Sequence, residues 1–442
     1  MKIPVLFLSV LSLLAAARLG GAEFRSENIS LRQLDNGLKI LLFEDHDIPN
    51  IAYYTFFRVG SCNERPGLTG VSHFIEHMMF NGSAAFGPGE FDRIMEFNGG
   101  ANNAYTSEDM TAYTDWFPKA ALEKMMRMEA DRMRGLALDP TVLEAERGVV
   151  ASERRLGVEN DNDSQLEETV RAAAMMAHPY HWGVIGWMSD ILSWKREEIA
   201  AYFRSYYAPN NAVLIVAGDF ETAALVELIK KHYAGIPSAA PPPAVSTVEP
   251  PQIGTRRVLL RKAAQIPSFL AVYHVPAAGH PDFPALSLLE TILLSGESSR
   301  LYRRLVSDAQ LAISVSGGIS QTIDPFLFYI QAKPRPGADL ELLEKTVDEE
   351  LEKIASGGVS PLEMEKAVNA ARTRFFTPLQ TIAGKANMLG QAELLLGGYK
   401  NLFTLVARFA AVTPAQVQEV CRRYLNPDNK TVGTLVPAGG AQ

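Results

Sequence analysis

His73, Glu76 and His77 lie in GVSHFIEHMMFNG, residues 70–82, where two histidines stand four apart and a glutamate directly precedes the second. On a helix this spacing brings the two Cβ atoms to about 6 Å on one face, within reach of a single metal ion. Val71, Phe74, Ile75, Met78 and Met79 form a separate apolar stripe, and Asn81-Gly82 supplies a stop. The polar face of an amphipathic helix can also carry two histidines with no function. Glu76 shifts that weighing, because H-x-x-E-H is the inverted zincin pattern, in which the carboxylate can face a water at the metal.

A catalytic zinc takes three protein ligands and keeps one position open. A third ligand is sought in LEAERGVVASERRLG, residues 143–157, where Glu146 and Glu153 are seven apart and share one side of a helix. Val142, Leu143, Val149 and Val150 read as the buried stripe of that helix. Carboxylates beside a packed stripe need compensating charge. A metal ion or the neighbouring Arg147, Arg154 and Arg155 could each supply it, and spacing alone does not choose between them.

The elements that must position these residues begin with strands at residues 38–44 and 51–59. Helical patterns follow at 70–80, 89–97, 118–134 and about 141–156. The same order is then written again. YYAPNNAVLIVAGDF (206–220) returns as RYLNPDNKTVGTLVPAG (423–439), and SHFIEHMMFNG (72–82) returns as LSLLETILLSG (286–296), with Glu290 matching Glu76. Ser287 and Thr291 replace the two histidines, so one copy carries chemistry and the other carries shape. The expected architecture is α+β: two homologous domains, each a mixed or antiparallel sheet packed on helices. Their expected bounds are 23–235 for the zinc-binding catalytic domain and 255–442 for the non-catalytic one, joined by the Pro-rich linker 236–254.

Residues 1–22, MKIPVLFLSVLSLLAAARLGGA, read as a signal peptide: a basic start, an apolar run too short to span a bilayer, and small residues before Glu23. Cleavage there predicts a periplasmic or secreted protein with no membrane anchor. It also leaves 40 basic against 50 acidic residues, a balance that gives nucleic acid no footing. Cys62 and Cys421 are the only cysteines, so disulfides do not frame the fold, and no bridge between them is expected.

Taken together, GLTGVSHFIEHMMFNGS, NGGANNAYTSEDMTAYTDWFP, EAERGVVASERR, HPYHWGVIGW and YYAPNNAVLIVAGDF resemble the pitrilysin/insulinase family of zinc metallopeptidases over essentially the whole mature chain. The likeness is to its two-domain, processing-peptidase-like members. It implies an endopeptidase with one Zn2+ held by His73, His77 and Glu153, with Glu76 as general base and Glu146 as a supporting carboxylate. It further implies that Asn103 and Ala104 belong to an edge strand to which peptide substrate adds. The resemblance breaks in the second half. Where the family usually carries an arginine and, seven residues on, a tyrosine, LVSDAQLAISVSGG has Val306 and Ile313, which donate no hydrogen bond. The implied assembly is therefore a heterodimer whose homologous partner supplies that Arg/Tyr pair, with a homodimer as the alternative. A non-catalytic scaffold or peptide-binding subunit is the competing function.

Overall fold

The computed structural model describes residues 23–438; the expected signal peptide lies outside the described residues. The first half builds a six-stranded sheet from β1 (Ser30–Gln33), β2 (Lys39–Glu44), β3 (Asn50–Phe57), β4 (Ala101–Thr106), β5 (Thr111–Pro118) and β6 (Ala212–Gly218), in the order β1-β2-β6-β3-β5-β4. The second half builds a five-stranded sheet from β7 (Arg256–Lys262), β8 (Ser268–Val275), β9 (Ala312–Ile319), β10 (Phe326–Pro334) and β11 (Lys430–Pro437), in the order β7-β11-β8-β10-β9. Without β1 the two paths are the same. β2/β6 and β7/β11 are the parallel pairs, and every other pairing is antiparallel. The fold is α+β, and the repeat read in the sequence is a repeat of topology.

Six helices matter to the site. They are α1 (Val71–Met78), α2 (Pro140–Arg154), α3 (Asn162–Ala174), α4 (Phe283–Leu294), α5 (Pro361–Phe376) and α6 (Ile382–Leu395). All seven residues of β6 are buried, as AVLIVAG requires: a strand covered on both faces reads as a continuous apolar run. One face of the first sheet packs on helices of its own half, through Leu42, Tyr53, Phe74, Ile75 and Leu214. The other face is covered by α6 of the second half, whose Leu389 and Leu395 join Phe43, Phe56 and Ile215. The second sheet reciprocates. Its Leu270, Val272 and Leu435 receive Leu166 and Val170 of α3, a helix of the first half.

Both crossings depend on a missing side chain. A Cβ on Gly390 of α6 would stand 2.1 Å from the Phe56 ring, and one on Gly433 of β11 would stand 2.2 Å from Val170 Cγ2. Residues 237–255 between the halves adopt no regular structure, in keeping with their prolines. They are nevertheless pinned: the Glu249 carboxylate accepts hydrogen bonds from the backbone N–H groups of Met176, Ala177 and His178 just after α3. Cys62 and Cys421 are buried free thiols.

Overpacking a close crossing typically costs about 1–3 kcal/mol, more than the helix propensity gained by replacing glycine with alanine. Gly390→Ala is therefore expected to lower the urea midpoint clearly, whereas Gly235→Ala, where an added Cβ meets nothing within 4 Å, should leave it nearly unchanged.

Candidate metal centre

The segment entering α1 is fixed by two buried carboxylates. Glu64 accepts hydrogen bonds from the N–H groups of Gly70 (2.7 Å) and Ser72 (2.8 Å). Asp190 Oδ2 accepts from the N–H groups of Gly67 and Thr69 and from Thr69 Oγ1. Carboxyl oxygens at a helix start accept from otherwise orphaned N–H groups. Burial pushes the Glu64 carboxyl up to about 8, against the pull of its two N–H donors. Gly70 has φ +84°, and a Cβ there would stand 2.3 Å from the Ile185 carbonyl oxygen. Only glycine meets both conditions.

From this fixed start, α1 buries Val71, Phe74, Ile75 and Met78 and turns His73 and His77 toward α2. The two imidazole centroids are 4.7 Å apart. Glu153 Oε2 lies 3.9 Å from His73 Nε2 and 3.6 Å from His77 Nε2. One ligand atom from each of the three falls within 4.8 Å of the others. Donors tetrahedrally placed at zinc bond lengths are separated by roughly 3.3 Å, so this donor set fits that ion after a small contraction. Glu153 is half-exposed while the histidines are largely covered, which leaves an approach from one side.

A surrounding layer orients these donors. Glu146 Oε1 lies 2.7 Å from His77 Nδ1, and Asn81 Nδ2 donates to Glu146 Oε2 at 2.9 Å. A carboxylate on one ring nitrogen directs the other toward a metal and raises its basicity. Burial pulls the His77 imidazole down, but the hydrogen bond to Glu146 and the surrounding carboxylates outweigh it and its pKa rises. His73 has no such partner, since its Nδ1 is buried without a hydrogen bond; burial, followed by the charge of His77, lowers it to about 4. Burial raises Glu76, and Thr106 Oγ1 donates to its Oε2 at 2.5 Å.

Two of the arginines that could compensate these carboxylates, Arg147 and Arg154, bond elsewhere. Arg147 bonds to Glu144 and to the carbonyls of Ile191 and Trp194, while Arg154 bonds to Glu168 and the Gly186 carbonyl. Glu146 and Glu153 turn to the histidines instead. Val149, read as part of the buried stripe, is 50% exposed; Leu143, Val150 and Ala151 carry that face. Asn103 and Ala104 lie on β4, at the outer edge of the first sheet, with Asn103 exposed and Ala104 packed toward the core. Val306 packs in a wide turn at residues 302–308, and Ile313 is half-exposed on β9, the matching edge of the second sheet. The sequence reading missed Thr106 and saw in Asn81 only a helix stop. Thr106 follows Ala104 by two and so shares its side of the strand, a signal that was available.

The family model described as insulinase, peptidase family M16, matches residues 40–186, and the model of the peptidase M16 inactive domain matches residues 193–371. A curated relative, zinc protease PqqE of Helicobacter pylori, is 30% identical over 93% of each chain. The crystal structure of a protease from Helicobacter pylori superposes with a TM-score of 0.89 at 30% identity, covering 92% of this chain and 99% of that one. The periplasmic protease PqqL of Escherichia coli shares the fold at a TM-score of 0.75 and 18% identity, covering 93% of this chain and 48% of that one. No helix among the described residues is long and apolar enough to cross a membrane.

Glu153→Gln is expected to lower zinc occupancy sharply, and Glu146→Ala to weaken zinc affinity about 10–100-fold through His77. Competition with a chromophoric chelator measures both. Unchanged affinity in the Glu153 variant would point to another third donor.

Proposed function

Because the chain belongs to the insulinase family of peptidases, M16, we propose that it is a zinc-dependent endopeptidase acting on peptides or unstructured protein segments, with His73, His77 and Glu153 as the metal ligands. The observation that carries this reading is the convergence of those three donors beside Glu76, a partly buried carboxyl held by Thr106 at the end of an edge strand. A zinc ion held there supplies Lewis acidity toward a carbonyl oxygen and draws the pKa of a water toward about 7.

The chain's own groups do the rest. Backbone groups of β4 around Asn103 and Ala104 receive the peptide as a further strand, which fixes the scissile bond near Glu76. Glu76, its basicity raised by burial, takes a proton from the attacking water as the oxygen–carbon bond forms. It then delivers that proton to the departing amine as the carbon–nitrogen bond breaks. Thr106 keeps the carboxylate aimed through both transfers, and Glu146 keeps His77 oriented.

Val306 and Ile313 offer nothing to the oxyanion. A homologous partner subunit is therefore proposed to supply the Arg/Tyr pair, in a heterodimer; a peptide-capturing or scaffold subunit is the second reading, favoured by the same two residues. A periplasmic or secreted location is proposed from the leader pattern of residues 1–22, and the description of PqqL as periplasmic agrees with it.

Glu76→Gln is expected to reduce peptide turnover at least about a hundredfold while zinc content stays at the wild-type level. Wild-type turnover in that variant would remove Glu76 from the chemistry. Each missing oxyanion donor slows the step by about 10²–10³. The purified chain should accordingly cleave slowly alone and speed up at least about a hundredfold when its homologous subunit is added, with a matching increase of mass in solution. Full activity of a homodimer would exclude the split site.

A further inference from the structure

The second half keeps the frame of the metal centre without its ligands. α5 packs on α4 as α2 packs on α1. Pro361 opens α5 as Pro140 opens α2, and thirteen residues on, Arg374 stands where Glu153 stands in the first half. Its Nη1 donates to Glu290 Oε2 at 3.0 Å and its Nη2 to Thr291 Oγ1. Glu290 is the counterpart of Glu76 and Thr291 that of His77. A guanidinium therefore neutralises Glu290 here, from the position that a candidate metal ligand holds in the first half.

This ion pair lines a cavity of about 420 Å³ between α4, α5, α6 and the end of β9. The remaining walls are mainly apolar, with Phe375, Met388, Leu402 and Phe409 prominent among them. With Glu290 and Arg374 paired, the lining carries no net charge to select a charged group. The wall of the cavity is tied to β4 by hydrogen bonds. Asn387 and Gln391 belong to its wall, and they hold the Tyr105 hydroxyl, which donates to Asn387 Oδ1 at 3.0 Å and accepts from Gln391 Nε2 at 3.4 Å.

Tyr105 sits between Ala104 and Thr106 on the edge strand. Residues alternate across a strand, so Thr106 faces Glu76 while Tyr105 faces α6, whose Asn387 and Gln391 line the cavity. A peptide added to this edge presents its own residues alternately to the same two sides. We propose that the cavity is a specificity subsite that takes a bulky apolar side chain, of the leucine, methionine or phenylalanine class, from a peptide bound along β4. The proposal rests on the peptidase reading and assigns the second half a direct part in choosing the substrate.

The test is peptide binding by the zinc-loaded Glu76→Gln protein, with any co-purifying subunit present, measured by fluorescence anisotropy. The probes are an alanine-rich peptide and a set in which one leucine is moved through successive positions. Expected is a preference of about tenfold for leucine at one position, the size that burying such a side chain supports. Ser287→Phe and Leu405→Trp fill the cavity from two different lining positions, and either should abolish the preference while the alanine-rich peptide binds as before. Two variants keep the result readable if one fails to fold, which a thermal melt shows. A preference that survives in a folded filled variant, or none in the parent, overturns the subsite even though the wild type cleaves peptides. Absence of both binding in Glu76→Gln and turnover in the wild type removes the peptidase reading along with it.

Discussion

Each sheet lends a helix to the other and needs one in return. α3 covers the second sheet and α6 the first, so the apolar runs of β6, β3 and β8 are buried on both faces only when the halves are docked. Half a chain would leave one broad apolar sheet face in water, a strongly unfavourable state. The close approaches at Gly390 and Gly433 set the depth of this exchange. They also explain why a second copy without histidines remains part of the protein. It supplies the surface against which the metal-bearing copy folds.

The site is then a problem of charge placed on that frame. Glu76, Glu146 and Glu153 surround two imidazoles, and burying Glu76 without compensation is unfavourable. Glu146 is balanced locally, since its hydrogen bond to His77 lowers its own pKa as it raises that of the imidazole. His73 is held neutral by burial, the state in which a histidine can donate a lone pair to a metal. The excess negative charge of the remaining carboxylates is what a divalent ion among His73, His77 and Glu153 would offset. Glu64 and Asp190 contribute at a distance, by fixing the first turn of α1 so that both rings leave the helix on one side.

What could be read from the sequence was local in origin. The stripe of α1, the strands Lys39–Glu44 and Asn50–Phe57, and the helix Pro140–Arg154 appear within a few residues of their expected ends, because period and caps are written in adjacent residues. The H-x-x-E-H triad was legible for the same reason. The competition between metal and arginine for Glu146 and Glu153 was not. Arg147 and Arg154 are drawn away by backbone carbonyls at Ile191, Trp194 and Gly186, which reach them only after folding. The helix exchange was equally hidden. An apolar face says that a helix must be buried, not against which sheet, and α6 is apolar on several sides because it packs on both halves at once.

Comparison of the two copies shows how such a site can be lost without loss of the fold. With Ser287 and Thr291 in place of the histidines no ligand pair is left for a metal, yet Glu290 is largely buried and would be uncompensated without Arg374. Placing Arg374 at the position of Glu153 reverses the sign of the third group and neutralises that carboxylate from within the chain. The substitutions are therefore coupled. Either set is electrostatically consistent, a mixture of the two is not, and the frame of paired helices accepts both because it depends on Leu, Ala and Met contacts that neither set touches.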